Sequence, residues 1–238
     1  MDSVGAEILR CLQRVAEQRI LREANPVLAS RTLALKSFQQ ERFRRSYSDL
    51  LAHPRYKGAA QFFLEELYGP ADFSKRDAQF RRIVKPLVHL FPQEIVATVL
   101  HLAELHALSE ELDSEMAQRL SEMGVIAAIN SGQYLAAWQQ VAGRAEREMQ
   151  IALTLKVGRA LDIYTRKPIL RHALRLMRAP ASAAGLHELQ AFLECGFETF
   201  RSMGGAEVFL DTVAMREEVL AGDLFSGDPY GRLSAIMA

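Results

Sequence analysis

FFLEELYGPADFSKRD, Phe62 to Asp77, ends one helix and starts the next within a few residues. Phe62, Phe63 and Leu67 carry a helical period up to Tyr68. Gly69 is then well placed as a left-handed C-cap, and Pro70 forbids continuation. Ser74 reads as the N-cap of the following helix. Asp77 lies three residues on, where a carboxylate can reach back to free amides and meet the positive helix end. The same punctuation recurs along the chain. Stretches between Gly, Pro and capping residues have helical period, and no strand-like alternation survives. The expected fold is therefore all-α, a single globular bundle of about eight helices over residues 1–222. A loosely packed tail is expected at 223–238.

Outward from that corner, Ile8, Cys11, Leu12 and Val15 share one face of a helix expected from Val4 to Arg22. Asn25-Pro26 breaks it, and a second helix runs from Val27 to Leu51. Ser74 to Leu90 is helical with Pro86 inside it, and Gln93 to Met123 follows, with room for a break near Ser109. Gln133 to Met177 reads as one long helical stretch, weakened by Gly143 and Gly158 and divided or bent at Pro168. Such a rod is a natural element for a homodimer. Helices over Ser182–Met203 and Ala206–Ala221 close the domain.

Composition excludes several classes. Apolar residues make up 49% and charged residues 24% of 238, with zero formal net charge, which fits a globular chain and not a strongly basic nucleic-acid binder. Two cysteines, Cys11 and Cys195, fit a reducing compartment rather than a disulfide framework. The first 22 residues lack the apolar core of a secretory signal, and no run is apolar enough to span a membrane. The expected location is a cytoplasm of bacterial type.

Chemistry-bearing patterns are few. HLAELH carries His101, Glu104 and His106, but His106 lies about 140° around the helix from His101, so one helix cannot offer all three to one metal ion. HExxH, P-loop, dinucleotide and nucleophile-elbow patterns are absent, so no catalytic residue is assigned. His106 falls on an apolar face, which suits a haem ligand, a buried switch or an internally hydrogen-bonded histidine. Lys167, Arg171, Arg175 and Arg178 form a stripe after Pro168. It suits an anion or acidic partner, or else the solvated face of an amphipathic helix. The Tyr68–Asp77 corner has two readings as well. Arg76 at a helix N-terminus suits an anion. Alternatively Asp77 caps, Arg76 pairs with a carboxylate, and the corner is only structural.

FFLEELYGPADFSKRD, the FPQE…HALSEELD stretch and AGLHELQAFLECGFETFRSMGGAEVFL together resemble an uncharacterised bacterial family of all-helical proteins marked by FFLxELYGPxDFxxRD. The resemblance covers roughly residues 55–222 and implies no activity. The function expected is a non-catalytic cytoplasmic helical module that binds a partner protein or a small anionic ligand. Tyr68, Asp72, Arg76, Asp77, Arg171 and Arg175 are the candidate ligand contacts. The alternative is a haem or metal protein using His101, Glu104 or His106 between helices.

Overall fold

The structure, a computed structural model, describes residues 3–67, 69–125, 128–141 and 143–238. The described residues are helices and connecting turns, with no strand among them. In order they are α1 (Ser3–Glu23), α2 (Pro26–Ser46), α3 (Ser48–Ala52), α4 (Lys57–Phe62) and a π-helical turn (Phe63–Leu67). There follow α5 (Ser74–Leu90), α6 (Gln93–Glu122), α7 (Ser131–Gln140), α8 (Arg144–Thr165) and α9 (Pro168–Leu176). α10 (Arg178–Ala183), α11 (His187–Ser202), α12 (Glu207–Phe225) and α13 (Arg232–Met237) complete the chain.

The helices outnumber the eight or so expected, because several stretches break where the sequence reads as continuous. Tyr47 leaves helical geometry at φ −121°, so α3 separates from α2. Val141 turns extended, at φ −119° and ψ 127°, and ends α7. Lys167 is also extended, as the residue before Pro168 must be, and ends α8. The stretch expected over Gln133–Met177 is thus three helices: the division at Pro168 is one of the two outcomes expected there, and the division at Val141 comes near the weak point at Gly143. Ser109, by contrast, causes no break, and α6 runs unbroken for 30 residues, about 45 Å.

The tail differs too. α12 passes through Gly222 to Phe225, and α13 packs against α2, α7 and α12. Leu224 and Leu233 are fully buried. The Asp228 carboxylate accepts from the Arg232 and Leu233 amides and starts α13. Residues 223–238 are a packed closure rather than a loose end.

α6 is the axis, touching α1, α2, α5, α7 and α8. Three apolar clusters build the core, two of them on α6. The α1 stripe Ile8, Cys11, Leu12 and Val15 meets Val84, Leu87 and Val96. Leu35 and Phe38 of α2 meet Met116, Tyr134, Leu224 and Leu233. Phe43, Tyr47, Phe62 and Phe63 meet Phe200 and Phe209.

The opening corner is built differently from its sequence reading. Gly69 is needed because a Cβ there would stand 2.7 Å from the Glu65 carbonyl oxygen, on the π-helical turn. Ser74 does not cap α5. The Asp72 carboxylate accepts from the Ser74 amide at 2.8 Å and from its hydroxyl at 2.9 Å. Gly69→Ala is expected to destabilise by about 2 kcal/mol, since backbone must shift to admit one methyl. A urea-unfolding midpoint that matches wild type would contradict that reading of Gly69.

Candidate functional site

Four polar residues of α6 face a cavity, while Glu94, Glu115, Gln118 and Arg119 are exposed. His106, Ser109, Glu110 and Asp113 lie at i, i+3, i+4 and i+7, hence on one helix face. α2 and α8 pack against α6 and cover that face. It lines a partly open cavity of about 220 Å³ between the helices. Along α6 the lining changes from Val99, Leu102 and Ala103 to His106, Ser109, Glu110 and Asp113, over about 20 Å. Phe80, Ile83 and Leu87 of α5 face the apolar half; Lys36 and Arg42 of α2, Tyr134 and Trp138 of α7, and Arg147 of α8 face the polar half.

Most of the buried charge is matched. Glu110, 6% exposed, accepts from Arg22 and, at 2.6 Å, from Lys36. Burial pushes its carboxyl up, but these two cations outweigh burial and bring it down to about 2. Arg42 holds Glu217 through two parallel bonds of 2.9 and 3.2 Å, and the Tyr47 hydroxyl donates to the same carboxylate. Asp113 accepts from Gln39 at 3.0 Å and lies 3.9 Å from Lys36; burial raises its carboxyl above the usual range.

Arg147 is the exception. It is 2% exposed and forms no ion pair among the described residues. Its guanidinium donates to Gln150 at 3.3 Å and to the weak acceptor Met116 Sδ at 3.1 Å. It lies over the Trp138 ring at 3.8 Å. Neither Arg147 Nε nor Trp138 Nε1 has a hydrogen-bond partner, though both are shielded from solvent. Burial lowers the Arg147 pKa, against the pull of Tyr134 and Asp113.

The corner residues divide. Tyr68 lies outside the described residues. Asp72 is a capping group on an exposed loop. Arg76 lies between the Phe73 and Phe192 rings, at 4.0 and 4.2 Å, and donates to Glu66 at 3.1 Å. Asp77 does not turn back to its own helix. It accepts from Arg19 and meets His106 Nε2 at 2.8 Å. Burial would raise the Asp77 carboxyl, but His106 and Arg19 together hold it below the ordinary range. Arg76, Asp77 and Gly69 all line the cavity, so the corner forms one of its walls.

The other candidates lie elsewhere. Arg171 donates to Glu198 at 2.7 Å, Arg175 stands 3.7 Å from the same carboxylate, and Arg178 holds Glu194 at 2.6 Å. Ile169 and Leu176 are exposed. Lys167, Arg175 and Arg178 stay exposed too, so the stripe is a solvated face whose edge is paired to α11. His101 and Glu104 do not line the cavity, and burial followed by the nearby Lys156 charge depresses the His101 pKa. Among the described residues no three His, Cys, Asp or Glu side chains gather as a metal site.

Sequence reasoning missed Arg147, Trp138 and Glu110. The available signal was the inward polar stripe at helical spacing in HALSEELD. Nothing local distinguishes Arg147, which sits in the charge-rich string RAEREMQ.

No helix among the described residues is long and apolar enough to cross a membrane. The chain belongs to a family described as a domain of unknown function (DUF8198), whose model matches residues 18–231. No curated protein and no solved structure matches it.

Proposed function

We propose that this chain is a non-catalytic binding module for a small amphipathic carboxylate, held in the cavity with its acid group on Arg147. The observation that carries the reading is the Arg147 guanidinium, buried at the polar end with no carboxylate against it. An uncompensated buried cation is costly, and an anionic ligand would supply the missing charge. Arg147 Nε–H and Trp138 Nε1–H are both donors without an acceptor, so the group they lack is an acceptor. The apolar half would take a hydrocarbon body. A dry cavity of about 150 Å³ holds benzene, so about 220 Å³ suits a ligand on the order of ten non-hydrogen atoms.

A cytoplasmic setting accords with two free cysteines. The FFLxELYGPxDFxxRD string, which resembles the marker of a bacterial family, contributes Gly69, Phe73, Arg76 and Asp77 to the cavity wall.

Trp138 is the chain's one tryptophan, so its emission reports on the cavity alone. Octanoate and 3-phenylpropanoate are expected to change that emission saturably, and octanamide is not. No saturable change with either acid, or an equal response to the amide, defeats the reading.

A further inference from the structure

Among the described α-helices only α9 buries no residue. It lies against α8, α10 and α11 and turns Ile169 and Leu176 to solvent, 71% and 77% exposed. These two are seven residues apart, a rise of about 10 Å along one face. Arg175 flanks them, half-exposed and 3.7 Å from Glu198. The chain from 163 to 186 holds five Lys and Arg and no Asp or Glu. α12 bears the complement. Val208 and Met215 are exposed and again seven residues apart, with Asp211 and Glu218 exposed beside them. The one cation of α12, Arg216, is bound to Asp49. α8 packs against both helices and joins their surfaces. Its Arg159 stands 3.8 Å from Asp211, and exposed Ile163 follows one turn on, just before α9. A single exposed apolar side chain is ordinary, but two rows of equal spacing, edged by opposite charge, suit each other as helix faces.

From this we infer that the chain pairs with a second copy of itself, in a two-fold dimer where α9 of each protomer lies antiparallel on α12 of its partner. On both helices the charge stands to the same rotational side of the apolar pair, and antiparallel packing is what brings two such flanks together. With Ile169 against the partner's Met215 and Leu176 against the partner's Val208, Arg175 falls within one turn of the partner's Asp211. A two-fold axis makes that contact twice, with α8 between the two copies of it. An anionic surface would engage α9 alone and leave the α12 row in water, whereas a second copy covers both. None of these residues lines the cavity, so the carboxylate reading and this pairing stand or fall separately.

The test is sedimentation of the full chain at micromolar concentration, with native mass spectrometry of the same samples. Wild type is expected as a dimer. Arg175→Glu alone, or Asp211→Lys alone, sets like charges against each other at both copies of the contact and should weaken the dimer at least about tenfold. Both side chains are exposed, so far-UV circular dichroism should show wild-type helix content in each variant. Mixed in equal amounts, the two variants should form a heterodimer within about threefold of wild-type affinity, because one of its contacts is native and the other is reversed as a whole. Leu176→Ser should weaken the dimer without any change of charge. A wild-type monomer, a dimer that both reversals leave intact, or a mixture that stays monomeric overturns the pairing. A monomer that sediments with phosphatidylglycerol vesicles, and no longer does so after Arg175→Glu, overturns it too and makes α9 a lipid-facing helix.

Discussion

Arg147→Met is expected to abolish octanoate binding and, in the ligand-free protein, to raise the melting temperature. The two effects separate a binding arginine from a structural one. Removing one partner of a buried ion pair strands the other and usually costs about 3–5 kcal/mol. Arg147 has no such partner to strand. Asp113 is nearest in sign, but it bonds Gln39 and leans toward Lys36, and burial already favours its neutral form. Methionine keeps much of the bulk over the Trp138 ring and removes the buried charge. A gain of about 1–3 kcal/mol is expected, on the scale seen when buried ions give way to packed apolar groups. For a chain this long that is roughly 2–4 °C per kcal/mol in scanning calorimetry. Losing the charge partner of a desolvated carboxylate should weaken octanoate at least about a hundredfold. Arg147→Lys keeps the charge but loses the fork and the stacking, and should fall between. A melting temperature several degrees below wild type for Arg147→Met would make the guanidinium a structural anchor and sink the proposed site.

The same asymmetry marks what could be read in the sequence. Elements bounded by proline were legible, because pre-proline restriction acts locally: α1, α2 and α5 begin or end close to their expected places. The α1 stripe was legible because α1 has one buried side. The break at Tyr47 was not, since neither glycine nor proline marks it. There α3 turns so that Leu50 joins the aromatic cluster of Phe43 and Phe62. The basic stripe of α9 was legible as a solvated face, and only its pairing was not. Arginines at helical spacing ordinarily face water, and Arg175 and Arg178 do, while Glu194 and Glu198 on α11 pair with the stripe along its edge. The site was hidden most deeply. His106, Ser109, Glu110 and Asp113 form a clean helical stripe, and such a stripe in an acid-rich string normally meets solvent. Only the flanking of α6 by α2 and α8 makes it interior, and that is a property of tertiary packing. Of the expected ligand contacts, Arg76 and Asp77 do reach the cavity, through the corner whose role was open between site and joint.

Glu110→Gln should be the most destabilising single change in the cavity wall, and its effect should depend on pH. The wild-type carboxylate is buried between Arg22 and Lys36. The glutamine removes the carboxylate that both cations share, leaving Arg22 on the Ser114 hydroxyl and Lys36 on the more distant Asp113 at 3.9 Å, a loss of about 3–5 kcal/mol at neutral pH. Titration supplies a second, independent measure. The folded carboxyl sits at about 2 against an ordinary 4.5. A depressed carboxyl contributes stability that is fully present above its unfolded value and is lost as pH falls through its folded one. That contribution is about 3 kcal/mol at pH 7, falling to about 1 kcal/mol at pH 3. Urea unfolding of wild type and Glu110→Gln at both pH values reads the difference directly. The gap between the two proteins should narrow by about 2 kcal/mol on acidification. The glutamine has no titrating group at this position, so the narrowing reports the carboxylate. A gap that stays constant from pH 7 to pH 3 would mean that Glu110 stabilises by packing alone. The buried cations would then have another counter-charge, and the view that Arg147 alone in the wall awaits one would lose its contrast.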